Sequence, residues 1–146
     1  MTITIELLRT WSERICNLSA DDVTEVARAL GLEGKLVEGG GDPVRIEPPP
    51  AGARQLELGR LQGAFTRVGV VLDSKLTRAD FDRAFGEGRL LPRVGAGRPY
   101  VVAYHVEVPG APFTCEVLAK IANFDDEPHA GSVVTEVGLR RDRAAR

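Results

Sequence analysis

A short pattern occurs twice in this chain and constrains its fold more than any other feature. Thr66-Arg67-Val68-Gly69-Val70-Val71-Leu72-Asp73 and Thr135-Glu136-Val137-Gly138-Leu139-Arg140-Arg141-Asp142 both read T-x-V-G-[VL]-x-x-D. Val68, Val70 and Leu72 alternate with Arg67 and Gly69, which is the period of a half-buried strand, so the chain builds this strand twice. Other blocks recur in the same order. Leu18-Ser19-Ala20-Asp21-Asp22-Val23 lies over Leu76-Thr77-Arg78-Ala79-Asp80-Phe81 at an offset of 58. Glu47, Pro49, Ala51 and Leu58 to Leu61 lie over Glu107, Pro109, Ala111 and Leu118 to Ile121 at 60, and the last strands match at 69. The gaps fall at a helix end and in a turn, where length changes are tolerated. The sequence therefore reads as two copies of one helix-then-strands unit.

The elements follow from periodicity. Leu7, Trp11, Ile15 and Leu18 mark one face of an N-terminal helix from Ile5 to Leu18. Ser19 reads as the N-cap of the next helix, with Asp22 closing a capping box, Val23, Val26, Ala27 and Leu30 as its buried stripe and Gly31 as its stop. Strands are expected over Val44 to Glu47, Arg54 to Leu61 and Phe65 to Leu72. Thr77 and Asp80 open a second such helix, with Phe81, Ala84 and Phe85 inward and Gly86 at its end. A Gly/Pro-rich connection from Gly86 to Pro99 leads to strands over Tyr100 to Val108, Phe113 to Ile121 and Ser132 to Arg140. Val133, Val137 and Leu139 point inward in the last of these, and the tail from Arg141 is expected to fray. The fold class is α+β: an N-terminal helix plus two tandem helix-then-antiparallel-strands units, with the helices packed on one face of an antiparallel sheet. The whole of 1–146 forms a single domain, with the helix at 1–18, repeat unit 1 at 19–73 and repeat unit 2 at 77–142.

At 146 residues, with 43% apolar and 27% charged side chains, the chain can bury a core without a disulfide or metal. Its net charge of −2 argues against nucleic acid as a partner, since only Arg140-Arg141-Asp142-Arg143 is locally basic. Cys16 ends the first helix and Cys115 is an inward strand position, so the two read as buried free thiols, with a disulfide as the lesser alternative. Met1-Thr2-Ile3-Thr4-Ile5-Glu6 has neither a basic n-region nor an apolar h-region, and no stretch is long enough to span a membrane. A cytoplasmic protein with no membrane partner is the expectation.

The segment Leu76-Thr77-Arg78-Ala79-Asp80-Phe81-Asp82-Arg83-Ala84-Phe85-Gly86 and the strands after it resemble the unit of the SmpA/OmlA and β-lactamase-inhibitor-protein group. Tandem copies in one chain are similar to the inhibitor proteins in particular. The resemblance implies a protein-binding scaffold that works through a concave sheet face. Members of those families are exported and often carry disulfides or a lipid anchor.

No arrangement of residues specifies catalysis. His105 lies on the polar face of its strand without a nucleophile at recognisable spacing, and the glycines at 39–41 and 95–97 lack the P-loop and dinucleotide patterns. Asn123 to His129 is acidic but lacks the calcium-loop spacing, so it reads as an exposed hairpin loop that contacts a partner. No catalytic residue, metal or cofactor is expected. Strand parity instead assembles a mixed-charge surface from Glu57, Arg67, His105, Glu107, Glu116, Lys120, Glu136 and Arg140, with Asp125 and Asp126 projecting from the acidic loop. Such a surface suits a non-enzymatic binding module (adaptor, inhibitor or immunity-type protein) whose partner is another protein. The alternative is a small-ligand-binding protein or enzyme with a cleft between helices and sheet, around Tyr104 and His105 with Tyr100 and His129. Free sheet edges would also allow a homodimer.

Overall fold

The computed structural model describes residues 1–93, 95, 97–122 and 127–143. Its first helix, α1 (Ile5–Asn17), starts where Thr4 accepts a hydrogen bond from the Leu7 N–H at 3.1 Å. A second, α2 (Val23–Ala29), leads to β1 (Lys35–Glu38), β2 (Val44–Glu47), β3 (Ala53–Leu61) and β4 (Ala64–Thr77). Then come α3 (Arg78–Phe85), β5 (Arg89–Leu90), β6 (Tyr100–Val106), β7 (Phe113–Ile121) and β8 (Val133–Arg143). All eight strands form one antiparallel sheet in the order β1-β2-β3-β4-β8-β7-β6-β5. Two meanders of four strands thus meet along β4 and β8, the last strand of each.

The register of that seam is specific. Gly69 pairs with Gly138, flanked by Val68 with Leu139 and Val70 with Val137. On either side of the seam the neighbouring ladder carries a bulge at the same place. Pairing of β3 with β4 passes from Gly59–Arg67 to Arg60–Phe65, so Thr66 has no partner there. Pairing of β7 with β8 passes from Lys120–Glu136 to Ile121–Val134, which leaves out Thr135. The bulged residues are the two threonines that open T-x-V-G, and each extra residue re-aims what precedes it. Val134 is therefore buried while Val133 is 46% exposed, which corrects the expectation that Val133 points inward. Glu57 pairs with Gly69 and Leu118 with Gly138. Leu118 accordingly stands where Glu57 does, and the sequence match of Leu58 with Leu118 is out of register by one residue.

Strand residues on one face, among them Leu56, Leu58, Val68, Val70, Val102, Tyr104, Val117, Ala119, Val137 and Leu139, share a single buried cluster with Leu8, Trp11, Ile15, Val26, Leu30 and Phe81 from the helices. Trp11 satisfies its indole N–H on the Leu30 carbonyl at 3.1 Å, which ties α1 to the end of α2. The capping box of Thr77 and Asp80 forms, and the Thr77 backbone N–H holds the Asp80 carboxyl below the usual carboxylate range, helped by the Thr77 hydroxyl and Arg83 against partial burial. Its counterpart at Ser19 does not form: α2 is capped by Asp22, whose carboxylate accepts from the Thr24 N–H, because helical geometry begins only at Val23. Two edge strands, β1 and β5, lie outside the expected elements. Both are short and mostly exposed, so they carry no apolar alternation to read.

Two further corrections concern the link between α1 and the sheet. Cys16 and Cys115 form a disulfide with their Cα atoms 5.9 Å apart, in place of two free thiols. Their inward positions were legible, but not that they face one another. The first part of the expected frayed tail, 141–143, is instead the end of β8, the last three residues lying outside the described ones, and Arg141, opposite Cys115 in the ladder, is 1% exposed. Its Nη1 donates to the carbonyls of Ile15 (3.0 Å) and Leu18, and its Nη2 to Ala20 O and the Asp21 carboxylate (3.4 Å). Its guanidinium lies 4.0 Å from the ring centre of Phe113 and 4.8 Å from that of Phe65. A cation at the carbonyl end of α1 also meets the negative pole of the helix dipole. Burial works against the charge and lowers the arginine's proton affinity, while Asp21 opposes that shift.

Removing this group leaves the buried Ile15 carbonyl and the part-buried Leu18 and Ala20 carbonyls without their donor. Arg141→Ala is expected to cost about 3–5 kcal/mol in urea unfolding, the range for breaking a buried charged contact; a loss below about 1 kcal/mol would show that the clamp is dispensable. The disulfide closes a long loop, so the oxidised protein should exceed a Cys16→Ala/Cys115→Ala variant by about 2–4 kcal/mol. Addition of dithiothreitol should lower the unfolding midpoint of the parent chain and leave that of the variant unmoved.

Candidate functional site

The sheet face away from the helices carries most of the residues singled out by parity. Cross-strand register sorts them into rows. One row runs His105, Glu116, Arg140, Arg67, Gly59 from β6 to β3. The next runs Ala103, Leu118, Gly138, Gly69, Glu57. The third runs Val101, Lys120, Glu136, Val71, Gln55. The middle row is nearly devoid of side chain at the seam, while long polar residues stand on both sides of it. The result is a trough of about 450 Å³ lined by Gln55, Glu57, Arg67, Val71, Val101, Leu118, Lys120 and Glu136, with Gly69 and Gly138 in its floor. Leu118, Val71 and Val101 are half-buried there as part of the trough's lining.

The charges around the trough are paired with one another. Arg67 reaches Glu57 at 3.3 Å and Lys120 reaches Glu136 at 3.2 Å. Arg140 sits directly opposite Arg67, a like-charge arrangement that costs stability, and each arginine takes its own carboxylate, Arg140 using Asp142 at 3.0 Å. Glu116 lies 3.9 Å from Arg89. These pairs are partly open to water and fix geometry more than they add stability.

The structure thus groups Glu57, Arg67, Glu116, Lys120, Glu136, Arg140 and His105 on one face. Glu107 falls just past β6, exposed and 3.9 Å from the His105 imidazole. Asp125 and Asp126 lie outside the described residues. Sequence reasoning missed the floor, Leu118, Gly69 and Gly138, although the repeated glycine of T-x-V-G was its signal. Tyr104 and His105, expected around one cleft, point to opposite faces as strand neighbours do. Tyr104 is fully buried beside Phe81 and Phe85, and its hydroxyl donates to Asp82 at 2.7 Å; burial first, then this contact, raises its pKa. His129 is engaged locally, its Nδ1 accepting from the Gly131 N–H at 3.2 Å. Among the described residues no three His, Cys, Asp or Glu side chains gather to hold a metal ion, and no helix is long and apolar enough to cross a membrane. In comparisons with known proteins the chain matches no family model, and no curated protein or solved structure aligns with it significantly.

Gly138 and Gly69 differ in what lies above them. A Cβ built on Gly138 meets nothing nearer than Leu118 Cβ at 3.9 Å, whereas one on Gly69 comes within 3.1 Å of Arg67 Nη1 and 3.3 Å of Glu57 Cγ. A glycine inside a strand weakens it, and no contact within the chain requires one at 138. Gly138→Val is therefore expected to leave stability unchanged or raise it by up to about 1 kcal/mol. Gly69→Val should gain less because the ion pair must shift; thermal unfolding of both variants reads the difference.

Proposed function

We propose that this chain is a non-catalytic protein-binding module, an adaptor, inhibitor or immunity-type protein, that receives another protein on the open sheet face. The observation that carries the reading is the trough: apolar and glycine at its floor, polar and charged at its rim, and left uncovered by all three helices. Interfaces between proteins have this anatomy, an apolar centre inside a polar surround. Side chains already held in ion pairs lose little freedom on binding, which lowers the entropic cost of association. The resemblance of the helix-then-strands unit to the inhibitor-protein group supports the same reading.

Duplication of the unit belongs to the proposal. Three observations support it: the self-paired glycines at equivalent positions, the bulges at Thr66 and Thr135, and the matching meanders on either side of the seam. An internal two-fold repeat places equivalent residues around one central axis, so the open face at the seam belongs equally to both copies. We also infer that the protein works where thiols are oxidised, instead of in the cytoplasm expected from its N-terminus. A buried Cys16–Cys115 bridge is uncommon in a reducing compartment.

Photo-crosslinking in the native cells tests the binding surface. A benzoylphenylalanine at position 118, on the open face, should capture one discrete protein, while the same group at position 28, exposed on α2, should not. Absence of any adduct from 118, or equal adducts from both positions, would contradict the proposal.

A further inference from the structure

We propose that the trough over Gly138 is an anchor pocket for one neutral aromatic side chain presented by the partner protein. The inference rests on the open face being a protein-binding surface and assigns the chemistry of the group that enters it. Shape is the first argument. The floor from Ala103 through Leu118 and Gly138 to Gly69 crosses four adjacent strands, a length of about 14 Å at ordinary strand spacing. The flanking rows stand two residues to either side, about 6.6 Å along the strands. The depression is therefore a narrow slot whose backbone is bare at Gly138, where an added Cβ would meet nothing nearer than Leu118 Cβ at 3.9 Å, while Arg67 and Glu57 reach over Gly69. A flat ring can lie against glycine backbone there, with Leu118, Val71 and Val101 around it.

Charge selects the occupant. Among the charged residues that line the trough the signs run Glu57, Arg67, Glu136, Lys120 from β3 to β7, and each carboxylate is already closed on a cation. A charged anchor would leave water without finding an unspent counter-charge, which is strongly unfavourable. A neutral aliphatic anchor avoids that cost and packs on Leu118, Val71 and Val101, but gains nothing from the charged side chains. An aromatic ring does gain, because its negative face complements cations, and Arg67 and Lys120 flank the floor from opposite sides. Rings of this kind dominate the energetics of protein interfaces when they fill a central pocket.

The test is a titration of the isotope-labelled full chain, followed by amide chemical shifts, with p-cresol as the tyrosine side-chain probe. Benzoate and benzylammonium serve as charged probes of similar size. The expected result is saturable shifts confined to the amides around Leu118, Gly138 and Gly69 with p-cresol, and none with the charged probes. Gly138→Leu should keep a folded spectrum and weaken p-cresol binding by about tenfold or more. Shifts that are spread over the molecule, equal for the charged probes, or unchanged in Gly138→Leu would overturn the assignment. Photo-crosslinking of the partner at position 118 together with a negative p-cresol titration would overturn the aromatic anchor alone. Clean p-cresol binding without any crosslinked protein would instead count against the protein-binding reading and mark the slot as a site for small aromatic molecules.

Discussion

The pairing of β4 with β8 is the contact on which the rest of the structure depends. Each half of the chain supplies a four-stranded meander whose last strand would otherwise be a long exposed edge, and such an edge invites unwanted pairing. Joined at Gly69 and Gly138, the two edges remove one another, and only the short β1 and β5 remain at the outside. The seam also decides which side of each strand faces inward. Because side chains alternate, a slip of one residue there would turn either Val68 and Val70 or Val137 and Leu139 out of the core. Both bulges lie close to it, so register and local bend are fixed together.

The first helix, α1, is secured beside this seam, to the β7–β8 pair, by covalent and ionic contacts side by side. Cys115 and Arg141 are opposite one another on β7 and β8, and both reach the end of α1, one through Cys16 and the other through carbonyls from Ile15 to Ala20. A buried guanidinium is costly in isolation. Here most of its donors are engaged, two aromatic rings take its faces, and Asp21 supplies the counter-charge. The arrangement makes α1 a part of the second half's core in spite of its position at the start of the chain.

Much of this was legible in the sequence, and the exceptions have physical causes. The apolar stripe of α1, the strands with strict alternation such as β7, and the capping box at Thr77 announced themselves because local periodicity and local hydrogen bonding determine them. β1 and β5 did not, since short exposed edges bury nothing. Arg141 was read as part of a frayed basic tail because its partners lie more than a hundred residues away along the chain. The disulfide was missed for the same reason. On the open face, parity found the rim of the trough but passed over its floor, where Leu118 looks like any apolar strand residue and the strand glycines Gly69 and Gly138 offer no side chain to read.

The trough at the centre of the sheet has the two seam glycines, Gly69 and Gly138, in its floor and paired charges on either side. The most direct test is native-state amide hydrogen exchange across the sheet. If the seam welds two halves into one cooperative unit, amides bonded between β4 and β8 will open only with the free energy of global unfolding, and the inner strands β3 and β7 will open together with them. Seam amides that exchange through a cheaper opening, with β3 and β7 retaining separate protection, would contradict the account.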